Sequence, residues 1–134
     1  NLARTDQGLV SIFTTMLMKS PKILSRGSLE RFRDLVHVDD AVTAWTLSAM
    51  RTDATGPFNV GSGEAITLRE LIFTIAEELG VVKDLEIEVA EGTPGDIFGF
   101  SADITALRDA AGFGPAIRPA EGVRQFVRWA VSQA

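Results

Sequence analysis

Apolar residues recur along this chain at the two spacings that distinguish helices from strands. Near the amino terminus they lie three and four residues apart, which predicts one buried face of a helix: Leu9, Ile12, Phe13, Met16 and Leu17. Asp6 is placed to cap this helix and Ser20-Pro21 to end it. Similar patterns predict helices over residues 41–50, 68–79, 103–111 and 120–131.

The best-defined helix start is the segment Thr67-Leu68-Arg69-Glu70. The threonine hydroxyl can accept a hydrogen bond from an amide of the first turn, and Glu70 can reach back to the amide of Thr67. This reciprocal arrangement is a capping box. Gly80 follows the last apolar residue of the stripe, as is typical of a helix end.

Four short segments have the apolar pattern of strands. Residues 85–89 alternate apolar side chains with Glu86 and Glu88, which predicts a half-buried strand. Residues 23–26, 35–38 and 58–60 are short apolar runs next to turn-forming residues. Because strands and helices interleave along the sequence, the predicted class is α/β or α+β.

Composition narrows the possible functions. The 134 residues amount to one domain or less, so we treat residues 1–134 as a single region. A net charge of -5 argues against nucleic acid, which requires a basic face. The absence of cysteine excludes disulfides and thiolate metal ligands, and the single histidine leaves little for a metal site, so no metal is expected.

The chain also lacks segments that direct proteins to membranes. No apolar run approaches the roughly 18 residues of a membrane span, and no signal peptide is visible at the amino terminus. We therefore expect a cytoplasmic protein with no membrane partner. The sequence begins at Asn1 rather than at a methionine, which indicates a fragment.

The segment that carries most chemical information begins with Arg33-Asp34. An apolar run follows it, and Asp39 or Asp40 can then cap the next helix. Arg33 would lie at one end of a short strand, where a bound anion could reach it. The alternative is a surface ion pair between Arg33 and Asp34 or Glu30.

Four segments, taken in order, resemble a known family. They are Gln7 to Phe13; Gly27 to Asp40; Phe58-Asn59-Val60-Gly61-Ser62-Gly63 with Thr67 to Leu71; and Pro94-Gly95-Asp96 with Ala102-Asp103 and Gly112-Phe113. Together they resemble the C-terminal half of the extended short-chain dehydrogenase/reductases, and most of all the nucleotide-sugar epimerase/dehydratase family.

The resemblance implies an α/β fold, the C-terminal portion of a Rossmann-type enzyme. It implies a nucleotide-sugar substrate and NAD or NADP, bound by an N-terminal half that is absent here. The family's G-x-x-G-x-x-G turn and its Tyr-x-x-x-Lys pair are both missing, and the chain contains no tyrosine at all. We therefore expect no catalytic and no cofactor-binding residue here, and an inactive chain when it is alone. The resemblance also implies a homodimer for the full-length enzyme.

The same resemblance assigns roles to individual residues. Arg33 matches the arginine that grips the substrate diphosphate, and Asp96 matches a contact to the nucleotide ribose, although an Asx turn is as good a reading of Asp96. A second family arginine is replaced by Thr93, so Arg26 or Arg31 could substitute for it.

Further candidates come from the first helix and the first strand. Gly8 and Leu9 match main-chain contacts to the nucleotide at a helix start, where unpaired amides favour anions. Leu24 and Arg26 lie on the strand that borders the base in the family. His37 is interpreted as structural, and Gly61 and Gly63 as a tight turn rather than a phosphate loop.

Two other functions compete with a nucleotide-sugar epimerase or dehydratase. One is a non-catalytic binding or regulatory module of the same fold. The other is a reductase or dehydrogenase that acts on a non-nucleotide substrate, which the replacement of an arginine by Thr93 keeps open.

Overall fold

The computed structural model of the protein describes residues 8–92, 94–95 and 97–133. The chain forms two compact units. The first unit comprises Asn1–Arg31, Thr67–Phe98 and Val123–Ala134, and the second comprises Phe32–Ile66 and Gly99–Gly122. Within the described part of the chain, no helix has both the length and the apolar character needed to cross a bilayer.

The first unit contains helices and a pair of parallel strands. Helix α1 is Leu9–Lys19, strand β1 is Lys22–Arg26, helix α3 is Leu68–Leu79 and strand β4 is Glu86–Ala90. A short 3₁₀ helix, Val82–Asp84, leads into β4. The two strands pair in parallel, from Lys22 opposite Glu86 to Arg26 opposite Ala90. Most of helix α5, Pro119–Ser132, also belongs to this unit. Its core contains Phe13, Leu17, Ile23, Leu71, Ile72, Ile75 and Val127.

Both predicted ends of α3 are confirmed. The hydroxyl of Thr67 accepts a hydrogen bond from the amide of Glu70 (3.1 Å), and the carboxylate of Glu70 accepts one from the amide of Thr67 (2.8 Å). Gly80 follows the helix with a left-handed φ of 72°. A residue with a Cβ pays a steric penalty in that conformation, which glycine avoids.

The second unit is built on strand β2, Phe32–Asp34, and helix α2, Val38–Ala49. β2 is the central strand of three: β3, Ala65–Thr67, lies on one side, and β5, Gly99–Phe100, lies on the other and runs parallel to β2. Helix α4 is Thr105–Ala111. A hydrophobic cluster holds α2 against α4: Ala44, Ile104, Leu107, Ala111 and Phe113.

The start of α2 differs from the sequence prediction. The predicted strand over residues 35–38 is wrong, because the strand is β2 and α2 already begins at Val38. The prediction that Asp39 or Asp40 caps α2 is also wrong. His37 is the cap, since its Nδ1 accepts a hydrogen bond from the amide of Asp39 (3.2 Å). Asp40 is instead buried.

The buried carboxylate of Asp40 has a different task. Its two oxygens accept hydrogen bonds from the amides of Ala116 and Ile117, each at 3.0 Å. A buried carboxylate is costly unless its oxygens are hydrogen-bonded, and these two amides supply partners. Asp40 therefore ties the first turn of α2 to the loop before α5.

The predicted strand over residues 58–60 is likewise wrong. Phe58 and Val60 are half-buried and pack against the hydrophobic cluster of the second unit, which accounts for their apolar side chains. Within the described residues, however, no strand pairs with them. A strand requires a hydrogen-bonded neighbour as well as an apolar face.

The remaining elements follow the sequence pattern closely. α1, β1, β4, α4 and α5 are all confirmed, with ends that differ by one or two residues from those predicted. Just before α4, the Asp103 carboxylate accepts a hydrogen bond from the amide of Thr105 (2.9 Å), but the capping position is Ile104 and no side chain caps this helix there. In β4, however, the apolar Val89 is 53% exposed. The alternation of apolar and acidic residues along this strand therefore does not bury the whole apolar face. Asp6, the predicted cap of α1, lies outside the described residues.

Candidate functional site

Arg33 lies on β2 with its guanidinium against an aromatic ring. It is directly opposite Phe100 in the register of the β2–β5 pair. The guanidinium carbon is 5.4 Å from the centre of the Phe100 ring, a cation–π distance. Nη1 also donates a hydrogen bond to the carbonyl of Phe32 (2.7 Å). The cation is half-buried and is held in a defined orientation beside a ring that is 53% exposed.

Asp34 is a hydrogen-bond hub beside it. Its Oδ1 accepts from both the amide (2.7 Å) and the hydroxyl (2.6 Å) of Ser62. Its Oδ2 accepts from the amides of Gly63 (3.0 Å) and Ala102 (3.1 Å). Burial by itself raises the pKa of Asp34, but these hydrogen bonds outweigh it and hold the pKa below its ordinary value.

Gly61 makes this hub possible. A Cβ at Gly61 would lie 2.5 Å from the Cβ of Ala102 and 2.7 Å from Oδ2 of Asp34, closer than atoms can pack. Glycine is therefore required where the turn and the carboxylate meet.

The same hub decides what the Gly61-Ser62-Gly63 turn can bind. The amides of Ser62 and Gly63 point at Asp34 and are taken by it. They cannot also cradle a pyrophosphate, so the turn does not fit a dinucleotide. The interpretation of these glycines as a tight turn agrees with this geometry. The chain also supplies no tyrosine for the family's acid–base pair.

The carboxylates considered as surface partners for Arg33 have other partners. Asp34 accepts hydrogen bonds from the turn at residues 61–63. Glu30 forms an ion pair with Arg69, whose Nη2 lies 2.9 Å from Oε1 of Glu30. Both Glu30 and Arg69 are in the first unit. The contact of Arg33 with a substrate diphosphate stays a prediction.

Four further candidates belong to the first unit. Gly8 precedes α1 with a left-handed φ of 75°, and among the described residues no side chain caps the helix there. Leu9 is the first helical residue. Leu24 and Arg26 are exposed on the same face of β1, where burial alternates along the strand. Arg26 lies at the carboxyl end of β1, next to Ala90 at the end of β4.

The Arg31 side chain contacts the backbone of the turn after β1. Its Nε donates a hydrogen bond to the carbonyl of Ser28 (3.2 Å), and its Nη2 donates one to the carbonyl of Arg26. Its guanidinium carbon would be 3.2 Å from a Cβ at Gly27. The side chain therefore closes the turn after β1, and the replacement of the missing arginine by Arg31 stays a prediction.

The comparison with known proteins gives the family. No family model matches the sequence. The dTDP-glucose 4,6-dehydratase of Streptomyces niveus is 30% identical over 121 residues, which cover 90% of this chain and 36% of that protein. The UDP-glucose 4-epimerase of Thermotoga maritima, solved with UDP-glucose, superimposes with a TM-score of 0.85 at 28% identity, over 96% of this chain and 40% of that one.

The chain belongs to the extended short-chain dehydrogenase/reductases. It corresponds to their C-terminal part and spans less than half the length of the relatives it matches. A third relative, the UDP-glucose 4-epimerase of Thermus thermophilus, was solved with NAD; it is 30% identical with a TM-score of 0.76, over 90% of this chain and 39% of that one. The predicted family and fold class are thus confirmed.

The candidate residues of this dehydrogenase/reductase chain fall into separate groups. Gly8, Leu9, Leu24 and Arg26 are in the first unit, whereas Arg33 is in the second. Thr93 and Asp96 lie outside the described residues. The roles of all these residues in binding stay predictions.

Sequence reasoning missed Phe100 and the hub at Asp34. Nothing near Phe100 in the sequence indicates that its ring lies against Arg33. At the level of sequence, Asp34 is interpreted only as a possible partner of Arg33. The Gly-Ser-Gly turn later in the chain was the available signal that an aspartate could accept hydrogen bonds from a turn. Among the described residues no group of acidic and histidine side chains could hold a metal ion.

Proposed function

We propose that this chain is the substrate-binding part of an NAD(P)-dependent nucleotide-sugar epimerase or dehydratase, and that Arg33 anchors the diphosphate of the substrate. The observation that carries the proposal is the guanidinium of Arg33, held in one orientation against Phe100 at 5.4 Å. NAD or NADP would be bound by a part of the enzyme that this chain does not contain, and it would supply the hydride chemistry.

The chemistry of an arginine at this place suits a diphosphate. A guanidinium is planar, permanently charged and able to donate two parallel hydrogen bonds to phosphate oxygens. Such recognition requires that the plane of the group be fixed. The contact with the Phe100 ring and the hydrogen bond from Nη1 to the carbonyl of Phe32 restrict the orientation of the guanidinium.

The relatives support a nucleotide-sugar substrate. Their names specify dTDP-glucose and UDP-glucose, which differ in the base and in the 2′-hydroxyl of the pentose and share the diphosphate and the glucose. Within this class we favour an epimerase that interconverts nucleotide sugars through transient hydride transfer, because UDP-glucose 4-epimerases occur among the sequence relatives, at 32% identity over 92% of this chain, and also among the structural neighbours.

The family resemblance assigns nucleoside contacts to several further residues, each considered by itself. The amides of Gly8 and Leu9 lie at the start of α1, where the amides have no acceptor within the helix and favour a negatively charged or polar ligand group. Leu24 offers an exposed apolar side chain, and Arg26 a second cation. Asp96 would accept hydrogen bonds from ribose hydroxyls. A homodimer and a cytoplasmic location complete the proposal.

Binding of a graded ligand set to the full-length protein tests this function. Calorimetry with UDP-glucose, UDP, UMP and uridine, and with the dTDP equivalents, separates the diphosphate from the base. We expect UDP to bind far more tightly than uridine and to lose affinity with added salt, since charged contacts are screened. Equal affinity for uridine and UDP, or no binding of any nucleotide, would contradict the proposal and favour a non-nucleotide substrate or a non-catalytic module.

Turnover is the second arm of the same experiment. Incubation of the full-length protein with NAD and UDP-glucose or dTDP-glucose should convert the sugar, as chromatography of the products would detect. Tight nucleotide binding without turnover of any sugar nucleotide would instead favour a binding module.

A further inference from the structure

Three consecutive residues of β2 each contact a different residue of the segment 99–102. Phe32 lies over Gly99, because a Cβ at Gly99 would be only 2.4 Å from its ring. Arg33 lies over Phe100. Asp34 accepts the hydrogen bond from the amide of Ala102 at 3.1 Å.

The contact between Arg33 and Phe100 depends on the contacts that Phe32 and Asp34 make on either side of it. β5 contains only Gly99 and Phe100, so the strand pair that places Phe100 opposite Arg33 has just two positions. So short a ladder gives little resistance to slipping or fraying. The hydrogen bond from Ala102 to Asp34 secures the segment directly after β5.

Asp34 is in turn fixed from the other side. Its carboxylate also accepts three hydrogen bonds from Ser62 and Gly63, at 2.6 to 3.0 Å. The turn at residues 61–63 therefore fixes the carboxylate, and the carboxylate fixes Ala102. Successive side chains of a strand point to opposite faces, so Asp34 does this from the face opposite to the Arg33 guanidinium.

We propose that Asp34 is a positioning residue for substrate binding: its carboxylate fixes residues 99–102 so that the Phe100 ring orients the guanidinium of Arg33 toward a diphosphate. The inference rests on the proposed function of Arg33 and adds a residue that acts through Arg33 without touching the ligand. It distinguishes Asp34 from Asp40, a second carboxylate of the same unit that holds backbone amides elsewhere.

A double-mutant cycle in the full-length protein tests the inference. The variants are Asp34→Asn, Arg33→Ala and the two combined, with UDP-glucose affinity measured by calorimetry. Asparagine keeps the shape of aspartate but loses the charge and one acceptor oxygen. We expect Asp34→Asn to weaken binding about three- to fivefold when Arg33 is present and less than about 1.5-fold when Arg33 is alanine, since coupled residues are non-additive.

Two further variants separate positioning from general stability. Asp40→Asn removes hydrogen bonds of the same kind from Ala116 and Ile117, so it should lower the melting temperature but change affinity equally in both Arg33 backgrounds. Ser62→Ala deletes the hydroxyl that donates to Asp34 and also bonds the backbone of Glu64, and it serves as a milder variant should Asp34→Asn fold poorly. It should show the same dependence on Arg33, with a smaller loss of affinity.

The outcomes are distinct. Equal loss of affinity from Asp34→Asn in both backgrounds, or no loss at all, would overturn the positioning role while leaving Arg33 as the anchor. If Arg33→Ala alone leaves affinity unchanged, the proposed function fails, and the role of Asp34 fails with it.

Discussion

Arg33 and Phe100 face each other across a strand pair of two residues, with the guanidinium carbon 5.4 Å from the ring centre. The two residues are distant in sequence and are brought together only because β5 pairs in parallel with β2. The pair places a permanent cation against a ring that is 53% exposed, and in the proposed function this cation is the contact to the diphosphate.

Replacement of Phe100 tests whether the ring orients the arginine. Phe100→Leu keeps an apolar side chain and removes the ring face, so it should cost the cation–π contribution of about 0.5–1 kcal/mol. Calorimetry on the full-length protein should then show a severalfold weaker affinity for UDP-glucose. Phe100→Tyr retains the ring and is the matched control, expected to bind nearly as the parent does. Equal affinities for the leucine variant and the parent would show that the ring has no part in binding.

The capping box of α3 predicts a defined loss of stability. Thr67→Ala removes the acceptor of the Glu70 amide and should lower the free energy of unfolding by about 1 kcal/mol, as measured by urea titration. Thr43→Ala is the control, because Thr43 is exposed inside α2 and alanine is the better helix former there. An equal loss for both threonines would argue against a capping role.

Gly112 and Gly114 form a natural pair for testing backbone strain. A Cβ would meet no atom within 4 Å at either position, but only Gly112 has a left-handed φ, of 72°. Gly112→Ala should therefore destabilise the protein by about 1–2 kcal/mol, whereas Gly114→Ala should be neutral or slightly stabilising. Thermal unfolding of the two variants would decide it, and a harmless Gly112→Ala would exclude the left-handed helix end.

The hydrogen bonds to Asp34 predict how stability depends on pH. The pKa of Asp34 is lower in the folded protein than its ordinary value. The contribution of the carboxylate is thus complete above the unfolded-state pKa of about 4 and is lost as the pH falls through the folded-state pKa. Urea titrations of the parent and of Asp34→Asn from pH 7 downward should show a stability difference that is constant above pH ~5 and shrinks below pH ~4. A difference that grows on acidification would contradict this account.

Local signals in the sequence were enough for most of the helices. The Thr67–Glu70 box and the glycines at positions 80 and 112 act within a few residues of the ends they define, so the sequence contains the whole interaction. The parallel strands β1 and β4 were also predicted as strands, because each has its own apolar run.

The site depends on contacts between distant segments, and these were not predictable in the same way. Residues 35–38 and 58–60 have strand-like side chains, but pairing selects β2 instead, since a strand is stabilised by its neighbour more than by its own propensity. The contact between Arg33 and Phe100, and the hydrogen bond from Ala102 to Asp34, follow from that pairing. The diphosphate role of Arg33 came only from the family resemblance.

The most direct test of the central claim is the affinity of the full-length protein for UDP-glucose with Arg33→Ala. Loss of a charge-assisted contact should weaken binding by about 1.5–3 kcal/mol, roughly ten- to a hundredfold, while NAD affinity changes little. Arg51→Ala is the control, because Arg51 is an exposed arginine of the same unit paired with Asp53. The account predicts this loss of UDP-glucose affinity in Arg33→Ala and the affinity of the parent protein in Arg51→Ala. Unchanged UDP-glucose affinity in Arg33→Ala would contradict it.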